Sequence, residues 1–265
     1  VAHSFPTRRS SDLSTSITAA PVPTGPPRRG FRRTGPYGSR PPGYRDRMFT
    51  GLVQAVGDVR ELTPTAAGKR LVVAAPGWEH RPDPGDSIAV SGVCLTVADL
   101  SPADDERTVR LAFDVVAETL AKSSLGSLAV GSRVNLEHAV RADTLMGGHF
   151  VQGHADGVGT VARVRRDEDD WRLTVAVPGP LMAYMVPKGS VSIDGVSLTL
   201  AEVGDADVTV ALIPTTLDHT TLRGLGEGDP VNLEADMLAK TVVNWLERAG
   251  PEALRRAGLG PTASG

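Results

Sequence analysis

Cys94 and His154 carry the side chains of this chain that are best suited to attack an electrophile or to transfer a proton. A thiolate is a strong nucleophile, and an imidazole exchanges protons near neutral pH. Both residues also have a purely structural interpretation, because a single Cys is commonly a small buried apolar residue and a single His is commonly a hydrogen-bonded core residue. Residue type alone leaves the two interpretations open.

Metal chemistry is not favoured by the spacing of the histidines. His149 and His154 are five residues apart in Gly-Gly-His-Phe-Val-Gln-Gly-His, a segment that predicts a strand. An odd spacing on a strand places two side chains on opposite faces. Cys94 is the single cysteine, so neither a multi-cysteine metal site nor an intramolecular disulfide is predicted, and the cytoplasm is the expected location.

Several enzyme classes lose support because their motifs are absent from the sequence. It contains no P-loop, no Gly-x-Gly-x-x-Gly after a strand, no Gly-x-Ser-x-Gly elbow and no His-Glu-x-x-His. Nucleotide hydrolysis, dinucleotide oxidoreduction and zinc proteolysis are therefore disfavoured. No apolar run approaches the roughly 18 residues of a membrane helix, and no secretory h-region follows the N-terminus, so neither membrane insertion nor secretion is predicted.

The first 47 residues differ in kind from the rest of the chain. Nine Arg against Asp12 and Asp46 give them a net charge of +7, whereas the whole chain carries −3 and the remainder therefore −10. They are rich in Pro, Ser and Gly without apolar periodicity, which predicts disorder. We interpret 1–47 as a non-native extension, with Met48 as the expected start; nucleic-acid contact is the disfavoured alternative, because the body is acidic.

From Met48 onward the sequence contains an internal repeat. Gly51, Val56 and Gly57 recur as Gly153, Val158 and Gly159. DSIAVSGVCLTV (86–97) matches GSVSIDGVSLTL (189–200), and ETLAKSSL…VGSRVNLE (118–137) matches TTLDHTTL…EGDPVNLE (215–234). A period near 100 residues indicates two copies of one small domain, predicted at 48–144 and 145–235.

Each copy has the pattern of a small antiparallel barrel. Apolar residues alternate at Val109, Leu111 and Phe113, and Gly or Pro interrupts the chain every 8–12 residues, as in all-β barrels. The one convincing helix is predicted at 236–250, with Asp236 as its cap and a disordered tail over 251–265. Its apolar stripe either covers a barrel or packs against the same helix of other subunits; it consists of Leu238, Val242, Val243 and Leu246.

The repeat also changes the interpretation of the reactive residues. Ser197 stands at the position that matches Cys94, and Leu52 at the position that matches His154. A residue needed only to fold the common barrel would more often be similar in both copies. The unlike residues therefore predict two related pockets with different tasks.

These motifs resemble the riboflavin synthase family (alpha-chain type), which consists of duplicated lumazine-binding barrels. The similarity lies in MFTGLV (48–53), GDSIAVSGVCLTV, NLEHAV, MGGHFVQGHADGVG, KGSVSIDGVSLTL, LIPTTLDHTTL and VNLEADMLAKTV, and covers nearly all of 48–247. The resemblance implies two six-stranded Greek-key barrels and a C-terminal helix that joins a homotrimer. It also implies a site between barrels of neighbouring subunits, and an association with lumazine synthase is a further expectation.

The implied reaction is the transfer of a four-carbon unit between two molecules of 6,7-dimethyl-8-ribityllumazine, which yields riboflavin and 5-amino-6-ribitylaminouracil. Because the lumazine ring supplies its own reactivity, no cofactor is expected. The implied proton-transfer residues are His154, Cys94, Ser87, Thr199 and Asp236. The implied substrate-binding residues are Phe49, Thr50, Gly51, Ser91, Val93, Thr96, Thr119, Lys188, Asp194, Ser197, Ile213 and Thr216.

Three positions depart from the family pattern. Relatives often have Asn at the position of Ser91, Cys at that of Val93 and Glu at that of Thr215. The competing interpretation within the same fold is a lumazine protein, which binds a lumazine or flavin without catalysis. The flavin-binding barrel of a reductase is a third interpretation, but its Arg-x-Tyr-Ser-type motif and its nucleotide domain are missing.

Overall fold

The computed structural model describes residues 48–102, 105–141, 145–167 and 170–256. Within them the chain forms two closed barrels of six antiparallel strands each, followed by a helix, which confirms the predicted fold class. Both barrels and the helix belong to one compact unit. The predictions for 1–47 and for the tail beyond Arg256 lie outside the described residues.

The two barrels share one topology. In each, three consecutive hairpin strands pair side by side and the second strand lies beside the fifth, which is a Greek-key order. The strands of the first barrel are β1 Ala55–Thr65, β2 Gly68–Pro76, β3 Ser87–Val90, β4 Val93–Ser101, β5 Thr108–Val116 and β6 Arg133–His138. Those of the second are β7 Gly157–Asp167, β8 Asp170–Ala176, β9 Ser190–Ile193, β10 Val196–Val203, β11 Asp207–Leu212 and β12 Pro230–Ala235.

Alternation along the strands fills each barrel from inside. Leu111 and Phe113 of β5 are fully buried, and so are Leu173 and Val175 of β8. Each such side chain contributes about 1.5–3 kcal/mol when it leaves water. On β4 the inward residues Val93, Leu95 and Val97 are buried, so the intervening Cys94 and Thr96 face outward. Cys94 and Thr96 therefore lie on the outer surface of the barrel.

Two short helices were not predicted from the sequence. They are α1 Ala117–Lys122 and α2 Pro214–His219, each followed by a 3-10 turn, and they occupy matching positions in the two copies. Six residues are less than two helical turns, too few to show the apolar period of an amphipathic helix. The sequence therefore indicated only the C-terminal helix and not these two short ones.

The last helix, α3, spans Met237–Arg256 and is kinked at Gly250, whose φ is 62°. The sequence predicts the end of the helix at this Gly, and a positive φ is common where a helix ends. Asp236 caps the start as predicted, since its Oδ1 accepts a hydrogen bond from the Leu238 N–H (2.8 Å). Among the described residues, no helix is both long enough and apolar enough to cross a membrane.

The apolar stripe of α3 does not cover a barrel. Leu238 is 63% exposed and Val242 57% exposed, and Trp245 and Leu246 are exposed as well, whereas Val243 is half-buried. Of the two uses predicted for the stripe, packing over the barrels of its own chain is therefore not observed.

A set of buried hydrogen bonds related by a local pseudo-two-fold axis joins the barrels. The side-chain amide of Asn135 donates to the Asp194 carbonyl (2.9 Å), and that of Asn232 donates to the Ser91 carbonyl (2.8 Å). On the axis Gly92 and Gly195 are in backbone contact. A Cβ on Gly92 would lie 2.6 Å from the Gly195 nitrogen, so only glycine allows this approach.

Candidate functional site

The site begins where two segments meet, the one that precedes β1 in the first copy and the one that precedes β7 in the second. Phe49 and Val151 occupy matching positions and exchange backbone hydrogen bonds of 2.7 and 3.1 Å. Both side chains are buried against Ala89 on the outer face of the first barrel. From this bridge each segment continues onto the barrel of the other copy.

The exchanged segments complete the outer wall of both barrels. The Gly153 carbonyl accepts a hydrogen bond from the Cys94 N–H (2.7 Å), and the Gly51 carbonyl accepts one from the Ser197 N–H (2.8 Å). Gly51 and Gly153 have φ values of 76° and 74°. A Cβ at either position would come within 2.7 Å of the other copy's Ser197 or Cys94, so the glycines repeat because the crossing requires them.

Two buried glutamates hold these segments. Glu137 accepts hydrogen bonds from the Thr50 and Gly51 N–H groups and from the Thr50 hydroxyl (2.7–3.0 Å). Glu234 accepts from three successive N–H groups of Gln152–His154 (2.7–3.0 Å). Burial raises the pKa of Glu137 to about 7 and also raises that of Glu234, while the hydrogen bonds oppose the shift.

The first pocket is a cavity of about 220 Å³ on the outside of the first barrel. It brings together Val93 and Cys94 from β4, Thr119 from α1 and His154 from the exchanged segment. Residues from three separate parts of the sequence thus line one cavity. Thr96 of β4 pairs with Ser87 of β3, and both side chains lie on the same outer face as Cys94.

The matching surface of the second barrel has different chemistry. Ser197 replaces Cys94, and its hydroxyl lies 2.7 Å from His149 Nδ1. Burial lowers the pKa of His149, and the nearby charge of Asp236 opposes this effect. His149 Nε2 is buried without a hydrogen-bond partner among the described residues. Thr199, Ile213 and Thr216 occupy the remaining matching positions, on β10 and at α2.

Two of the predicted binding residues, Ser91 and Asp194, lie at the interface between the barrels. Ser91 and Asp194 sit on the pseudo-two-fold axis and line a separate cavity of about 510 Å³ between the barrels. Burial raises the pKa of Asp194 to about 7, and its Oδ1 accepts from the Asn232 N–H (2.8 Å). Lys188 is exposed in the turn before β9 with a φ of 66°, and its N–H donates to the carbonyl of Leu200 (3.0 Å), the residue after Thr199 of the second surface. Ser91 and Asp194 therefore contribute to the packing between the barrels, and neither lines the first pocket.

The segment with His149 and His154 is not a strand, and that prediction was wrong. Within 145–156 the only strand-like pairing is the bridge of Val151 to Phe49. The N–H groups that a strand would offer to a neighbour are bound by the Glu234 carboxylate instead. The two histidines consequently reach different barrels, His149 to Ser197 and His154 to the pocket of Cys94.

Sequence reasoning missed His149 as part of the second surface and missed both glutamates. The signal for the glutamates was present, because Asn-Leu-Glu recurs at 135–137 and 232–234. Glu137 and Glu234 are identical at matching positions, as expected for a contact that both copies need. For His149 no comparable signal exists, since its partner Ser197 is distant in sequence.

The chemistry available in the first pocket is proton transfer and hydrogen bonding. It holds one thiol, one imidazole and one threonine hydroxyl, with the Glu118–Lys122 ion pair (2.6 Å) at its margin. No group of three His, Cys, Asp or Glu residues suited to a metal ion occurs in the described part of the chain. The arrangement suits an organic molecule that is held by hydrogen bonds and exchanges protons with these groups.

The lumazine binding domain family matches this chain twice, at residues 50–139 and 152–236. Several proteins named riboflavin synthase are similar over the same region. That of Mycobacterium tuberculosis (strain H37Rv) is 42% identical over 207 residues, which are 77% of this chain and 100% of the relative. That of Bacillus subtilis is 36% identical, over 76% of this chain and 91% of the relative.

Solved structures share the fold. A crystal structure of LumP with 6,7-dimethyl-8-(1′-D-ribityl) lumazine matches with a TM-score of 0.58 at 24% identity, over 71% of this chain and 98% of that one. LumP with riboflavin matches with a TM-score of 0.58 at 25% identity, with the same coverage. One arrangement of two barrels thus binds both a lumazine and a flavin in LumP.

Proposed function

Since this chain belongs to the family of proteins built from two lumazine binding domains, we propose that it acts as a riboflavin synthase. In this reaction one 6,7-dimethyl-8-ribityllumazine gives a four-carbon unit to a second, and the products are riboflavin and 5-amino-6-ribitylaminouracil. Two substrate molecules contain all the atoms of the two products, so no oxidant, reductant or cofactor is needed. The enzyme would be a transferase that works in the cytoplasm.

The observation that carries this proposal is the unlike chemistry of two equivalent surfaces. Cys94 and His154 meet at the first barrel, whereas Ser197 and Leu52 occupy the matching positions at the second. Two identical substrate molecules must take different roles, as donor and as acceptor. Barrels of one fold with different polar groups provide that difference without a second type of domain.

The work of the protein would be positioning and proton transfer. The methyl group at C7 of the lumazine is acidic, and its deprotonation creates the carbon nucleophile that attacks the other molecule. His154 and Cys94 are placed to move protons at the first barrel, with Ser87 and Thr96 as hydrogen-bonding neighbours. Thr199, Asp236, Ser197, Ile213, Thr216 and Lys188 are the proposed contributors from the second barrel. Proton transfer of this kind contributes about 10²–10⁴-fold to a rate.

The proposed assembly is a homotrimer, with each active site shared between the first barrel of one subunit and the second barrel of its neighbour. The exposed stripe of α3 supports this assembly, because Leu238, Val242 and Trp245 leave a large apolar surface uncovered in the single chain. Association with lumazine synthase is a further proposal, because that enzyme would supply the substrate.

The alternative function is binding of a lumazine or flavin without turnover, as the LumP structures illustrate for this fold. One experiment separates the two. The protein is incubated with 6,7-dimethyl-8-ribityllumazine alone, with no metal or nucleotide, and riboflavin is measured by chromatography. We expect riboflavin and 5-amino-6-ribitylaminouracil in equal amounts. Ligand binding without product would favour the non-catalytic function.

A further inference from the structure

Glu234 is a buried side chain through which the second barrel holds the segment that carries His154. Its Oε1 accepts the Gln152 N–H at 2.7 Å, and its Oε2 accepts the Gly153 and His154 N–H groups at 2.9 and 3.0 Å. A carboxylate bonded to three successive N–H groups fixes the backbone at the very residue whose side chain lines the pocket of the other barrel.

The equivalent residue of the first copy does not do this. Glu137 binds the N–H groups of Thr50 and Gly51, but the Leu52 N–H is bound by the Thr50 hydroxyl (3.1 Å). Gln152 stands where Thr50 would recur and has no hydroxyl, so Glu234 takes the third N–H itself. The direct bond to the backbone of the pocket residue is present only in the copy where that residue is an imidazole.

A second contact ties the same segment to the terminal helix. Asp156 accepts the Ala235 N–H (2.9 Å) and forms an ion pair with Lys240 of α3 (2.9 Å). Gln54 occupies the matching position in the first copy and makes no such link to the helix. The charged groups around Glu234 are therefore Asp156, which raises its pKa, and Lys240, which lowers it.

From this geometry we infer that Glu234 is a positioning residue for His154: a carboxylate of the second barrel sets the place of the imidazole in the pocket of the first. The inference rests on the proposed function for its kinetic test, and on the structure alone for its spectroscopic test. It assigns no contact between Glu234 and the substrate. Its role is exerted through the backbone of Gln152–His154.

The kinetic test is a double-mutant cycle in the full chain. Glu234→Gln keeps the size of the side chain but replaces one acceptor oxygen with an NH₂ group, which opposes the N–H donors. We expect kcat to fall on the order of 10- to 100-fold with KM changed by less than about 3-fold, because a small displacement of a proton-transfer group costs rate rather than affinity. In a His154→Ala background the same substitution should cost less than about 3-fold.

Glu137→Gln is the matched control, because Glu137 holds the backbone of Thr50 and Gly51 in the same way and does not bind the His154 segment. Its effect on kcat should be the same with and without the His154 imidazole. If Glu234→Gln also costs the same in both backgrounds, Glu234 is merely structural and the inference is overturned. Should Glu234→Gln not fold, Glu234→Asp keeps two acceptor oxygens on a shorter stem and enters the same cycle with the same criterion.

The spectroscopic test needs no turnover. The ring proton resonance of His154, identified by its loss in His154→Ala, should shift in Glu234→Gln and keep its wild-type position in Glu137→Gln. An unchanged resonance in Glu234→Gln would overturn the inference. If the wild-type protein makes no riboflavin but the resonance shifts as expected, the proposed function fails while the positioning role stands.

Discussion

His149 Nδ1 lies 2.7 Å from the hydroxyl of Ser197, the residue that occupies in the second barrel the position of Cys94 in the first. The second surface therefore also has an imidazole, but it comes from the connection between the barrels and not from the matching position. Burial lowers the pKa of this imidazole from its usual value, which favours the neutral ring.

The first prediction concerns the titration of His149. The charge of Asp236 raises the pKa of this group against the effect of burial. Asp236→Asn should therefore lower the pKa of His149 further, which is measurable by NMR titration of its ring protons. Ser197→Ala is the control, since it removes the hydrogen bond but no charge. A higher pKa in Asp236→Asn would contradict the electrostatic argument.

The second prediction concerns Cys94 and His154. If both take part in proton transfer, Cys94→Ala and His154→Ala should each lower turnover by roughly 10²-fold, and by less than 10⁴-fold, while lumazine binding persists. Steady-state kinetics and fluorescence titration with the lumazine measure the two quantities. Unchanged turnover together with a lower melting temperature would return both residues to a structural role.

The third prediction concerns the close approach of the barrels. Gly92→Ala adds a Cβ that would lie 2.6 Å from the Gly195 nitrogen, at a φ of 76°. We expect a loss of about 3 kcal/mol or more in the free energy of unfolding, from strain and displaced backbone together. Gly131→Ala is the control, because its φ is 90° but nothing lies within 4 Å.

Gly131→Ala should cost only the backbone strain, about 1 kcal/mol. Both variants are compared with the wild type by urea denaturation. Equal losses would show that the contact between Gly92 and Gly195 contributes nothing beyond the dihedral angle.

The fourth prediction concerns pH and Glu137, whose pKa burial raises to about 7. The folded state then holds this proton more tightly than the unfolded state, so its contribution is complete below the ordinary Glu pKa and is lost as the pH rises through about 7. Relative to Glu137→Gln, the wild type should lose at most about 3 kcal/mol of unfolding free energy between pH 5 and pH 8.

Urea denaturation of both proteins across this pH range checks the fourth prediction. The relevant quantity is the change in their difference, because the substitution also disturbs the hydrogen bonds of Thr50 and Gly51 at every pH. A difference that does not vary with pH would mean that Glu137 is ionised over the whole range.

The fifth prediction concerns the terminal helix. Val242→Glu with Leu246→Glu places two charges in the exposed stripe and should produce smaller species in sedimentation velocity. Each should still bind lumazine, whereas turnover should collapse because donor and acceptor are no longer held together. Asn244→Glu adds a charge to an exposed position beside the stripe and should leave the assembly intact. Normal turnover in a dissociated species would contradict the shared site.

The barrels and the first pocket could be predicted because the duplication and the alternation are local and repeated. Val109, Leu111 and Phe113 alternate within one strand, and Cys94 and His154 differ from their counterparts at fixed offsets. The backbone groups that Glu137 and Glu234 bind could not be found in this way. The pairing of Glu234 with the His154 backbone joins two parts of the second copy that lie 80 residues apart in sequence, which no local pattern records.

The exchange of the first segments between the barrels bears on the origin of the duplicated chain. A single copy would leave its own outer wall open and its own first segment without a partner barrel. Such an ancestor would have been complete only as a dimer of identical chains with exchanged ends. In one fused chain each half carries its own side chains, so that Cys94 differs from Ser197, and His154 from Leu52, at matching positions.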